Sequence, residues 1–327
     1  MKKFLSIALV AVMLLSTFAF VSCDTTKDDG KYTVGIVQLV QHVALDAATQ
    51  GFIDALKAEL GEENVTFFNE NASGEANVCT TIVNNFVSKK VDLIMANATP
   101  ALQAAANGTT TIPVLGTSIT EYGVALGIDN FNGLVGGNVS GTRDLAPLDQ
   151  QAKMLVDLYP NAEKVALLYC KAEPNSKYQV EEIRRQLVAL GLSDANIKDY
   201  AFTDSNDVST QSAAAAQYAD VIYIPTDNTA ASCAETIGGV VGNTPVITGE
   251  EGICAGCGVA TLSISYYDLG VATGKMAAKI LKGETKISEM KIEYAANFTK
   301  KYNAAKCAQL GVDVEALKAK GYVAIGE

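Results

Sequence analysis

Residues 33–60, TVGIVQLVQHVALDAATQGFIDALKAEL, constrain the fold of this chain more than any other stretch. Their opening, TVGIV, is a short continuous apolar run, the pattern of a strand buried on both faces. Leu45, Ala48, Phe52, Leu56 and Leu60 then recur every three or four residues, one face of a helix. The loop between, residues 38–44, carries His42, the single histidine of the sequence. A buried strand feeding a helix opens a β-α-β unit and commits the chain to a parallel sheet covered by helices. Ligands of such sheets bind beyond the carboxyl ends of the strands, where this loop would lie.

The pattern recurs along the chain. Strands are predicted at 65–68, 91–96 and 112–115, and Thr99 before Pro100 has the chemistry of a helix N-cap with proline in the first turn. Glycines 123, 127, 133, 136, 137 and 141 then break the periodicity, and residues 137–144, GNVSGTRD, read as a crossing into a second lobe. Beyond it, helices at 147–158 and 178–190 and strands at 165–169, 197–202, 220–224, 245–247 and 259–263 replay the alternation. Residues 267–281 read as a helix returning to the first lobe, and 291–322 as a strand and short helices added to the second. The 327 residues suffice for two domains of about 130–150 residues each. The expected fold is therefore α/β: two Rossmann-like lobes with parallel sheets, hinged around a ligand cleft. The first lobe takes 32–143 plus about 264–288, and the second 144–263 plus about 289–327. Hinge motion is expected at the crossings near 141–144, 263–266 and 286–291.

Residues 1–22 stand apart. Lys2 and Lys3 precede an apolar stretch that closes on Phe20, Val21, Ser22 and Cys23, followed by the polar run DTTKDDGK. A basic start, an apolar centre and a small residue before cysteine resemble the bacterial lipoprotein signal. That resemblance implies removal of 1–22, diacylation of Cys23 and a tether over 23–31, since two acyl chains hold a protein stably on a membrane. The expected location is the cell membrane, lipid-anchored on its extracytoplasmic face.

Without residues 1–22, 23 basic residues stand against 36 acidic ones, a net charge of −13. Arg143, Arg184 and Arg185 are the only arginines. A surface this acidic argues against nucleic acid and against strongly anionic ligands, both of which need clustered Lys and Arg. Cys254 and Cys257 form CAGC, a spacing that suits a redox pair, a reversible disulfide or half a zinc site. A structural zinc needs four ligands, and no second pair exists, so no metal is expected; free thiols are the simplest reading.

A Ser-His-Asp or Cys-His site would need His42 as its base, yet the G-x-S-x-G turn is missing. Strand one leads into QLVQHVA, which has no glycines to admit a pyrophosphate, so no nucleotide cofactor is expected and an enzyme is disfavoured. Binding uses the same loops better. Thr99, Thr117 and Ser118 could donate hydroxyls to a carboxylate at helix N-termini, and Asp227 and Glu250 could accept from an ammonium. Tyr122, Phe131, Tyr266 and Tyr267 could supply apolar walls.

Most of the chain after residue 31 resembles the ABC-transporter substrate-binding lipoproteins of the tryptophan/tyrosine-type family, which have a type I periplasmic-binding-protein fold. The matching stretches are QHVALDAATQGFIDAL, VDLIMANATPALQAAAN, GGNVSGTRDLAP, EPNSKYQVEEI, YIPTDNT and YYDLGVATGKMAAKILKG. The resemblance implies capture of an L-amino acid, aromatic side chains included, and its delivery to a membrane permease with a cytoplasmic ATPase. By position the pocket would fall on Gln38, His42, Thr99, Thr117, Ser118, Asn175, Asp227, Asn228 and Glu250. Val43 replaces the proline that follows the loop histidine in the family, and GICAGCG after Glu250 is unusual; both bear on the ligand, not the fold. The alternatives are a binding protein for a nucleoside or sugar, and a ligand-sensing receptor.

Overall fold

The computed structural model describes residues 31–295 and 297–326. The leader 1–22, Cys23 and the tether up to residue 30 lie outside the described residues. Among the described residues no helix is long and apolar enough to cross a membrane.

The first half runs β1 (Tyr32–Gln38), α1 (Val43–Leu60), β2 (Val65–Asn71), α2 (Ala76–Lys89), β3 (Leu93–Asn97), α3 (Thr99–Gly108), β4 (Val114–Ile119), α4 (Tyr122–Leu126) and β5 (Val139–Arg143). The second runs α5 (Leu148–Leu158), β6 (Val165–Cys170), α6 (Pro174–Ala189), β7 (Ile197–Phe202), α7 (Val208–Tyr218), β8 (Val221–Ile224), α8 (Asn228–Ser232), α9 (Ala234–Val240), β9 (Val246–Thr248), α10 (Glu251–Gly256) and β10 (Ala260–Ser263). The chain then crosses back through α11 (Tyr266–Leu281) and β11 (Glu293–Tyr294). It ends in β12 (Thr299–Tyr302), α12 (Ala304–Leu310), α13 (Val314–Ala319) and β13 (Val323–Ala324).

Two sheets result, ordered β11-β5-β4-β3-β1-β2 and β13-β12-β10-β9-β8-β6-β7. Every pairing in the first is parallel. In the second only β12 runs antiparallel to its neighbour β10. Both sheets are buried on two faces, which is why the central strands read as unbroken apolar runs. Along β1 the faces alternate: Val34 and Ile36 pack with Phe52, Leu56, Met95 and Met276, while Val37 packs with Phe86, Ile94 and Leu102. Helix α11 lies directly on α1, and glycine permits the approach. A Cβ on Gly270 would collide with the Ala48 carbonyl oxygen, and one on Gly51 with that of Tyr267.

Two expectations need correction. Residues 137–144 are not merely a crossing, because Val139–Arg143 is a strand paired with β4. Its polar side chains bond inside the fold: Ser140 Oγ donates to Met290 O at 3.0 Å, and Thr142 Oγ1 lies 2.8 Å from Thr273 Oγ1. Gly141, at φ 143°, keeps a side chain off the Gly116 backbone. The second correction is that Glu293–Tyr294 pairs with Thr142–Arg143 in the first sheet, although 289–327 was expected to belong to the second lobe. The return to the second sheet comes only with β12.

Cys254 and Cys257 are buried and free. Burial pushes the Cys257 thiol up to about 12 and holds Cys254 well above its usual value, which keeps both neutral and weakly nucleophilic.

Candidate functional site

The carboxyl ends of the two sheets face one cavity. From the first half come His42 and Leu45 after β1, and Ser118 and Thr120 at the end of β4. From the second come Asn175, at the start of α6, with Thr226, Asp227, Asn228 and Ala231 after β8 and Glu250 after β9. Asp144 and Tyr266, one on each of two crossings, complete the wall. The cavity is narrow, with a volume of about 10 Å³, room for about one water molecule. A ligand larger than water therefore enters only when the walls part.

Local backbone explains several of these placements. Ser118 sits at φ 56°, where β4 and β5 lose register, a left-handed conformation that costs a serine about 1 kcal/mol or more. Arg143 braces the residues before Asp144: its Nε donates to Thr120 O at 2.7 Å and its guanidinium pairs with Glu121. Asp144 N donates to Ile119 O at 3.1 Å.

Four buried polar atoms on this wall have no hydrogen-bond partner among the described residues: His42 Nδ1, Ser118 Oγ, Asp144 Oδ1 and Asn175 Oδ1. A buried unpaired polar atom costs about 1–3 kcal/mol, so four around one cavity are unlike ordinary core packing. Their polarity is set by Glu173, a buried carboxylate that lies outside the cavity lining. Glu173 Oε2 accepts from Asn228 Nδ2 at 2.6 Å and from Asn175 Nδ2 at 3.2 Å, while Oε1 accepts from Thr229 N and Oγ1 at 2.9 and 2.8 Å. A carboxylate accepts only, so both amides must turn their nitrogens to it and their oxygens away. Asn228 Oδ1 then faces His42 Nε2 at 3.4 Å, so Nε2 carries the proton. Burial lowers the pKa of His42, so the ring is neutral and its Nδ1 is an acceptor.

Three carboxylates line the cavity, and no lysine or arginine does so among the described residues. Burial raises Asp144 to about 6, against the pull of the Tyr266 hydroxyl. It raises Glu250 to about 7, against the N–H groups of Gly252 and Ile253. Asp227 is raised by burial and by the neighbouring Glu173 carboxylate. Two of the three also act as helix caps: Asp227 accepts from Cys170 N at 2.6 Å and Ala230 N at 2.8 Å, and Glu250 from Gly252 N at 2.7 Å and from Ile253 N.

The structure thus brings His42, Ser118, Asn175, Asp227, Asn228 and Glu250 together. It does not bring Gln38, Thr99 or Thr117 to the cavity. Gln38 staples its own loop, with Nε2 donating to Val40 O at 2.9 Å and Asp46 Oδ1 at 2.7 Å and Oε1 accepting from Thr49 at 2.6 Å. Thr117 points to the opposite side of β4 and bonds Thr142 at 3.3 Å and Thr273 at 3.1 Å. Thr99 is buried at the start of α3, outside the lining. Asp144 and Glu173 escaped sequence reasoning. The only signal for Asp144 was an acid directly after a polar, glycine-containing segment.

The family model for ABC transporter substrate binding proteins matches residues 33–320. The chain belongs to that family. As such a substrate-binding protein it is 32% identical over 298 residues to the tyrosine-binding protein of Clostridioides difficile strain R20291, covering 87% of this chain and 85% of the relative. Its fold superposes on a Streptococcus pneumonia ABC domain in complex with L-Trp with a TM-score of 0.83, at 30% identity, covering 90% of this chain and 99% of that one. It also matches the ligand-free, open structure of a Clostridium difficile substrate binding protein with adhesive properties, at TM-score 0.67 and 33% identity, again over 90% and 99%. The fold of this substrate-binding protein is of the type I periplasmic-binding class.

Proposed function

We propose that this substrate-binding protein captures an L-amino acid, aromatic side chains included, between its two lobes and hands it to an ABC permease driven by a cytoplasmic ATPase. The lipoprotein signal supports anchoring through Cys23 on the extracytoplasmic face. The observation that carries the reading is the set of four unpartnered polar atoms around one cavity, which a zwitterion could complete. Ser118 Oγ is the hydroxyl in that set suited to a carboxylate, and the acidic wall suits an ammonium. The tyrosine named for one relative and the L-Trp bound to another are consistent with this ligand class. Opening by rotation about the crossings at Asp144 and Tyr266 would admit it. The reading involves no chemical turnover: His42 Nε2 faces an amide oxygen rather than a nucleophile.

Calorimetric titration of the purified protein against the twenty amino acids, nucleosides and sugars tests this. Saturable binding of one or a few L-amino acids is expected. Binding of none of them, or of a nucleoside or sugar instead, would end it.

A further inference from the structure

The acceptors on the cavity wall are not interchangeable. Asp227 and Glu250 are acids at the cleft, but each carboxylate oxygen of both already accepts a backbone N–H at a helix start. Asp144 is different. It is 3% exposed, its Oδ2 accepts from Tyr266 Oη at 3.0 Å, and its Oδ1 is buried with no partner. Two more unpartnered acceptors share the cavity, Asn175 Oδ1 and His42 Nδ1, and Glu173 forces both to present a lone pair rather than an N–H.

Resting on the amino-acid reading above, we propose that the ligand's ammonium is held by Asp144 Oδ1, with Asn175 Oδ1 and His42 Nδ1 as its further acceptors. Asp144 supplies the countercharge. Asp227 and Glu250 hold helices α8 and α10 in place and contribute only background field. The count fits, because a primary ammonium has three N–H donors and no acceptor. The geometry also makes Glu173 a positioning residue. It does not line the cavity, yet it fixes the two amides and, through Asn228, the tautomer of His42.

The test pairs variants with ligands that lack the ammonium. Wild-type protein, Asp144→Asn, Asp227→Asn and Glu250→Gln are titrated with L-tyrosine and L-tryptophan and with the deaminated acids 3-(4-hydroxyphenyl)propanoate and 3-(indol-3-yl)propanoate. The wild type is expected to prefer the amino acid by about 10–100-fold, the worth of a buried charge-assisted contact. Asp144→Asn should bring that preference close to one, while Asp227→Asn and Glu250→Gln keep it. Glu173→Gln should shrink the preference without touching ligand. Because His42 is the only histidine, its ¹⁵N spectrum reports the tautomer directly, and Nε2–H should give way to a mixture in Glu173→Gln. Asp144→Ser, which also removes the charge, is the second route if Asp144→Asn does not fold, and should likewise bring the preference close to one. An unchanged preference in Asp144→Asn, or its loss in Asp227→Asn or Glu250→Gln instead, overturns the proposal. A wild type that binds no amino acid at all removes the reading it rests on, a result distinct from either.

Discussion

Tyr266 donates its hydroxyl to Asp144 across 3.0 Å, and this bond joins two of the segments on which the chain crosses between its sheets. Both residues are buried, and they are 122 positions apart in sequence. A hydrogen bond to a buried carboxylate is worth about 1.5–3 kcal/mol. Tyr266→Phe should lower stability by about that amount, measured by urea denaturation, and shift scattering from the unliganded protein toward a more open form.

Stability should depend on pH with an unusual sign. A carboxyl group raised by burial binds its proton more tightly folded than unfolded, so its effect is absent at low pH and destabilising above its folded value. Asp144 at about 6 and Glu250 at about 7 each remove up to about 3 kcal/mol as pH rises from about 4 through those values. Asp227, also raised, works in the same direction. His42, lowered by burial, opposes them below its ordinary value. The thermal midpoint of the ligand-free protein should therefore fall between about pH 4 and pH 7, and Asp144→Asn should flatten the lower part of that fall.

Ser118 and Thr117 are neighbours with opposite duties. Ser118→Ala should weaken ligand binding several-fold with little loss of stability, whereas Thr117→Val should leave binding intact. Thr117→Val breaks the buried Thr117–Thr142–Thr273 cluster and should cost about 1 kcal/mol. Ser118→Gly relieves the φ of 56° and should stabilise the ligand-free protein by about 1 kcal/mol while lowering affinity. Calorimetry and denaturation on the same samples separate the two effects.

The seam between α1 and α11 has no room for a methyl group. Gly270→Ala should cost about 1–3 kcal/mol by forcing the helices apart. Gly51→Ala strains the same seam from the other side, so the pair of substitutions should not be additive.

What could be read from the residues alone follows from these details. β1 and α1 were legible because both faces of the strand and one face of the helix are apolar. His42, Ser118, Asp227, Asn228 and Glu250 were within reach because each lies at or just beyond the end of a strand in a parallel sheet, and Asn175 because of the family motif around it. β5 was not legible, since Ser140 and Thr142 are buried polar residues whose partners, Met290 and Thr273, lie more than a hundred residues on. Thr117 misled because alternation along β4 turns it into the core while the irregular Ser118 faces the cleft. Asp144 and Glu173 have no local signature at all; their importance arises only from partners brought near by folding.

The joint between Asp144 and Tyr266 lies on two of the crossings between the sheets. In the rotation proposed above, force applied there would work through a short arm. A displacement too small to notice at the joint would become a large sweep at the lobe edges, so the occupancy of the cleft would be broadcast to the exterior by leverage alone, with no relay of side chains in between.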